Sequence, residues 1–172
     1  MEYTLKEHRH RFAIWTAARA VQRSWTTTTR ISMVINAVKL SDFADTYKSL
    51  QGQQDFDEKH MKLCDKMIEE FRHINVEASY GRVAKIVAVY LKTVIILGAE
   101  VDNEKIRLIH PPIDRIVLRN LPANINFDEI RKLNWTQLDK NAYWTMVKII
   151  RERLGIFDWR LEMVWRPEIE RY

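Results

Sequence analysis

Cysteine is nearly absent from this chain. Cys64 stands alone in 172 residues, which excludes an intramolecular disulfide and any four-cysteine iron–sulfur cluster or zinc site. A reducing cytoplasm is the compartment such usage fits. Turn-forming residues are also few, with 4 Gly and 4 Pro, so the chain reads as richer in helix than in loops. A long apolar run is lacking. The best stretch, from Val83 to Leu97, is interrupted by Lys85 and Lys92; it is too short and too charged for a bilayer and reads as a buried core helix. The first ten residues contain no apolar block, so no secretory signal is expected there. His60 and His73 have no partners at ligand spacing, and no metal site or cofactor is expected.

Apolar residues make up 47% of the chain, enough for one compact helical domain over 1–172. Two sublobes are conceivable within it, 41–121 and the pairing of 1–40 with 122–172. The formal charge of +5 is compatible with nucleic acid without requiring it. Acid is scarce from Lys6 to Arg30, where Lys6, Arg9, Arg11, Arg19, Arg23 and Arg30 face a single Glu7. A solvated basic helix face explains that stretch as well as a partner does. The 6 Trp supply core mass, and tryptophan also stacks on bases.

The 3.6-residue period places a first helix from Leu5 to Trp25 and a second from Ile31 to Leu40. Gln51-Gly52-Gln53-Gln54 reads as a loop, and an amphipathic helix follows from Asp57. Gly81 precedes the apolar helix from Arg82 to Leu97, with Gly98 as its expected left-handed cap. His110-Pro111-Pro112 is extended, because a residue before proline avoids the helical region. Short helices are expected at Ile113–Leu121 and Asp128–Leu133, and a longer one at Asp139–Leu154 closed by Gly155. Ile106–Ile109 is the one candidate strand. The fold class is all-α.

Lys85 is oddly placed. It sits in the first turn of an apolar helix, where desolvation and the helix dipole both disfavour an ammonium. Lys92, two turns along the same face, would push in the same direction if close. A neutral amine is what a nucleophilic lysine needs, although a lysine spanning the edge of the core would account for the position too. Downstream, Asp114 opens the next helix after the two prolines, where an acid capping a helix in solvent is the ordinary reading.

Gly81-Arg82-Val83-Ala84-Lys85 with Lys92, followed by His110-Pro111-Pro112-Ile113-Asp114-Arg115, resembles the core of the helix-hairpin-helix DNA glycosylases, in particular the archaeal 8-oxoguanine glycosylase branch. The match at motif level covers about a fifth of the chain, and only Gly81 stands where the family hairpin has two glycines. The resemblance implies a glycosylase-like helical fold with a cleft between two helical lobes. It implies a bifunctional glycosylase and AP lyase, with Lys85 as nucleophile and Asp114 as catalytic carboxylate, that excises an oxidised or otherwise modified base, 8-oxoguanine in the first place, without a cofactor. Gly81, Arg82, His110 and Arg115 would contact the DNA. Gln22, Trp15, Trp144 and Trp165 would line the base pocket, since that branch uses an early-helix glutamine and aromatic stackers. The expected partner is double-stranded DNA carrying the damaged base, bound by a monomer with no membrane association. A base modified by an invading phage would call on the same lysine chemistry. A non-catalytic helical DNA-binding or interaction protein on the same scaffold is the competing class. A nuclease has no supporting carboxylate cluster.

Overall fold

The computed structural model describes residues 3–22 and 25–165, and among them there is no strand. Helix α1, Leu5–Val21, starts at Thr4, whose side chain accepts from the Glu7 N–H as an N-cap should. It ends four residues earlier than the apolar period suggests, and Arg23 lies outside the described residues. Helix α2, Thr28–Ala37, is capped by Thr27, so the threonine run is both the turn and the cap. Lys39 then takes a left-handed conformation and starts a separate short helix α3, Leu40–Asp45, where the sequence pattern suggests one helix continuing to Leu40.

Helix α4, Gln53–His73, buries Phe56, His60, Leu63, Cys64, Met67 and Phe71 along one stripe. A connection through Asn75, held at positive φ, leads to α5, Tyr80–Leu91, which is buried along nearly its whole length. Beyond Leu91 the helix widens into a π-type turn, Lys92–Ile96. There the Thr93 hydroxyl donates to the Val89 carbonyl at 2.8 Å, a back-bond that competes with the regular ladder. Gly98 is not the expected left-handed cap: the turn closes without positive φ, which only Gly52 and Gly155 adopt among the glycines.

The expected strand at Ile106–Ile109 is instead a single 3₁₀ turn, Ile106–Leu108. Asn103 seeds it by accepting from the N–H groups of Lys105 and Ile106. After the extended His110–Ile113 segment come α6, Arg115–Arg119, and α7, Asp128–Arg131. A 3₁₀ turn, Trp135–Gln137, precedes α8, Lys140–Leu154, which Asp139 caps and Gly155 ends in the left-handed region. A last 3₁₀ segment, Trp159–Val164, leads to Trp165.

The core is one cluster that runs from Ala13 on α1 to Leu161 near the end. Its axis is α5, along which α1 packs most extensively, with α4 and α8 also against it. The small residues Ala13, Ala17 and Ala18 on the buried face of α1 allow the close approach. No helix of the described residues is long and apolar enough to cross a membrane.

Candidate functional site: a buried lysine and a helix-capping carboxylate

Ser79 starts α5 by accepting from the Arg82 N–H, while its hydroxyl donates to the Thr136 carbonyl. This bond ties the helix entrance to the 3₁₀ turn at Trp135. Gly81 belongs to the same seam. Its N–H donates to the Leu138 carbonyl at 3.0 Å, and a Cβ there would stand 2.1 Å from the Trp135 carbonyl oxygen. The glycine is required because two backbones touch. With its amide already used inside the fold, Gly81 does not offer the DNA-phosphate contact expected of it.

One turn on, the Lys85 side chain is 8% exposed. Its Nζ lies 4.3 Å from the centre of the Trp135 ring, so an aromatic face covers the amine. The Nζ also donates to Asp114 Oδ2 at 3.2 Å. Asp114 divides its two oxygens. Oδ1 accepts from the N–H groups of Ile116 and Val117 at 2.9 and 3.0 Å, which makes it the N-cap of α6; Oδ2 faces Lys85 and the indole N–H of Trp165, also 3.2 Å away. Cap bonds fix the carboxylate in place while one oxygen keeps its capacity for a second task. Pro111 and Pro112, which cannot enter a helix ladder, set the extended approach that brings this cap against α5.

Lys92 is not a second positive charge acting on Lys85. It is paired with Glu162 on the last 3₁₀ segment, and that pair anchors the segment that leads to Trp165. His110 is likewise not a DNA contact. Its ring is buried, hydrogen-bonded to Tyr143 and, at 3.0 Å, to Asp57, which Arg151 grips with both guanidinium nitrogens. Burial holds the imidazole below its ordinary range despite the Asp57 carboxylate. Burial alone would raise the Asp57 carboxyl, yet the His110 and Arg151 hydrogen bonds hold it well below the usual range. His60 packs against His110, ring centres 4.7 Å apart, and burial pushes its imidazole down as well.

Of the four expected pocket residues, only Trp165 is seen at Asp114. Gln22 is engaged locally, donating to Thr28 Oγ1 and accepting from Arg19. Trp15 stacks on Phe12 on the exposed face of α1, away from the side packed on α5. Trp144 donates to the Tyr80 hydroxyl and lies edge-on to Tyr143 and the two buried histidines. It is a structural tryptophan, as its half-burial and satisfied N–H indicate. Trp135, which roofs Lys85, and Glu162, which ties down Lys92, escape sequence reasoning. Trp135 sits in a polar Asn-Trp-Thr stretch with no period to mark it.

Arg82 and Arg115 flank the pair. The Arg82 guanidinium stacks over Trp25 at 4.9 Å, and Arg115 directly follows the capping carboxylate. Both line a cleft of about 660 Å³ whose wall includes Trp135. Among the described residues no group of three His, Cys, Asp or Glu side chains is arranged to hold a metal ion. Comparison with family models, with curated proteins and with solved structures finds no match for this chain.

Proposed function

We propose that this chain is a DNA glycosylase with lyase activity, on a fold of the helix-hairpin-helix glycosylase type, working in the cytoplasm on double-stranded DNA that carries an oxidised or otherwise modified base. One observation carries the reading: a buried lysine amine, 3.2 Å from a carboxylate oxygen that the helix cap does not use. Two segments 29 residues apart converge to make it, and the sequence marks both in advance. A buried Lys–Asp pair is costly to desolvate and contributes little net stability, so a chemical use accounts for it better than a structural one. Among modified bases, 8-oxoguanine is the first candidate substrate.

The target nucleotide is turned out of the duplex. Asp114 Oδ2 accepts a proton from the Lys85 ammonium, and the freed lone pair bonds to the sugar C1′. The glycosidic C1′–N bond breaks, and the base leaves with that electron pair and takes up a proton. The nitrogen, which now carries two protons, passes one to O4′ as the C1′–O4′ bond opens, and a protonated Schiff base results. Removal of a C2′ proton then expels the 3′ phosphate, and water releases the lysine. The fixed carboxylate also faces the positive charge that develops on the sugar. Trp165, 43% exposed and bonded to the working oxygen, is the aromatic placed to meet the extruded base.

Borohydride trapping on abasic and on modified-base duplexes tests the proposal. The expected result is a covalent protein–DNA adduct with the native chain and none with Lys85→Ala. No adduct with any substrate, or equal trapping by Lys85→Ala, returns the pair to a structural role in a non-catalytic binding protein. A panel of duplexes, each with one modified base, then identifies the substrate, phage-type modifications included.

A further inference from the structure

The cleft beside Trp135 is lined by five cationic side chains, Arg82, Arg115, Arg119, Arg131 and Lys132, and by no carboxylate. Such a concentration is repulsive unless something negative enters. Arg131 is spoken for: it bonds the carbonyls of Leu121 and Pro122 and pairs with Asp128, fastening the α6–α7 connection. The others are different. Arg115, Arg119 and Lys132 are exposed and form no ion pair or hydrogen bond with the described residues. Arg82 holds its Nε buried without a hydrogen-bond partner, an omission that costs free energy unless a ligand supplies an acceptor.

The contrast with α1 sharpens the point. There, where the sequence concentrates its basic residues, Lys6 is paired with Asp45 and Arg11 with Glu7. Two of the α1 cations are thus matched by acids, whereas none of Arg115, Arg119 and Lys132 has an acid partner among the described residues, although all three line one cleft. Arg115 and Arg119 stand one helical turn apart, about 5–6 Å between Cβ atoms, a spacing that reaches neighbouring phosphates of one strand. Thr136 and Arg82 are shared with a second, mixed-charge groove of about 870 Å³ that also takes in Arg72, Asn75, Glu77 and Ser79, so the cleft, though not its purely basic lining, continues past the entrance of α5.

We infer that Arg115, Arg119 and Lys132, with Arg82 at the junction of the two grooves, form a phosphodiester-binding track that seats one strand of duplex DNA across the face of Trp135. This rests on the DNA-processing reading for its ligand but not on the lysine chemistry. The track replaces the phosphate contact that the Gly81 amide, consumed inside the fold, does not make. Arginine suits the task because its guanidinium meets phosphate oxygens with two donors at once.

The test is the salt dependence of binding to a short undamaged duplex, which does not engage Lys85 chemically. Each phosphate contact adds about 0.9 to the slope of log affinity against log salt. The triple variant Arg115→Gln/Arg119→Gln/Lys132→Gln is expected to lower that slope by about 2 to 3 over roughly 50 to 200 mM salt. The charge-retaining Arg115→Lys/Arg119→Lys variant is expected to keep it, and Arg11→Gln on α1 to leave it unchanged. An unchanged slope in the triple variant, a slope lost equally in the Lys variant, or no binding of the native chain to duplex DNA overturns the track. Borohydride trapping stays separate: trapping with an unaltered slope removes the track alone, and a lost slope without trapping removes the lyase reading alone.

Discussion

Asp114 does two jobs with two oxygens, and a pair of substitutions separates them. Asp114→Ala removes both the cap and the partner of Lys85. Asp114→Asn keeps an oxygen to accept from Ile116 and Val117, and asparagine is as good an N-cap as aspartate. Its amide nitrogen then replaces Oδ2 and presents a donor to Lys85 and Trp165, both of which are donors themselves. Each variant therefore loses one partner of a lysine that is 8% exposed, a loss of up to about 3–5 kcal/mol. The difference between the two variants isolates the cap, about 1–2 kcal/mol. For a chain of this size that is roughly 2–8 °C in thermal midpoint. Calorimetry is expected to rank Asp114→Ala below Asp114→Asn by that margin. Single-turnover excision is expected to fall by about 10²–10⁴-fold in both, with binding to the duplex retained. Equal midpoints would show that the cap bonds contribute nothing to α6. Native excision rates in Asp114→Asn would remove the carboxylate from the chemistry.

Gly81→Ala forces a methyl to within 2.1 Å of the Trp135 carbonyl, and overpacking of this kind costs about 1–3 kcal/mol; a fall in thermal midpoint of roughly 2–12 °C is expected, and an unchanged midpoint would contradict the close seam. On an abasic duplex, which presents no base to the Trp165 segment that Glu162 anchors, Lys92→Gln is expected to leave borohydride trapping at the native rate, since the Lys92 charge is already matched by Glu162; a drop there that Glu162→Gln does not reproduce would restore a role for it beside Lys85. The buried histidines and Asp57 make stability fall with acid. Their folded pKa values lie below their unfolded ones, so the unfolded chain binds more protons; the histidines make stability decrease as pH drops below about 6.5, by up to about 1.4 kcal/mol per unit each, and Asp57 adds to the loss only below about 4. Urea midpoints measured from pH 7.5 down to 5 check this, and a flat profile would refute it.

Helix existence was readable in the sequence because the apolar stripes of α1, α4, α5 and α8 are long and capping side chains start α1, α5 and α8; α4 has no such cap and begins at Gln53, inside the expected loop and ahead of the expected start at Asp57. The Lys85–Asp114 contact was suggested by the family resemblance and not by the residues alone, since a lysine at a core edge and an acid capping a helix in solvent are each ordinary. What escaped was decided by partners distant in sequence. His110 looked available because nothing local shows that Asp57 and Tyr143 enclose it. Gly81 looked like a ligand-binding glycine, whereas the backbone that crowds it comes from Trp135 and Leu138. The basic run on α1 drew attention by density alone, and only the fold reveals which cations have acids beside them.

Trp165 reaches Asp114 across 51 residues of chain, and Asp114 reaches Lys85 across 29. Helical signal on refolding can return early from local contacts, but such distant closures come later. The Trp165 indole meets its acceptor only after α6 has docked on α5 and the last segment has been drawn across. In a variant that keeps Trp165 and replaces the other five tryptophans, its fluorescence would time that closure, and a stalled intermediate would be helical, compact and without a completed site.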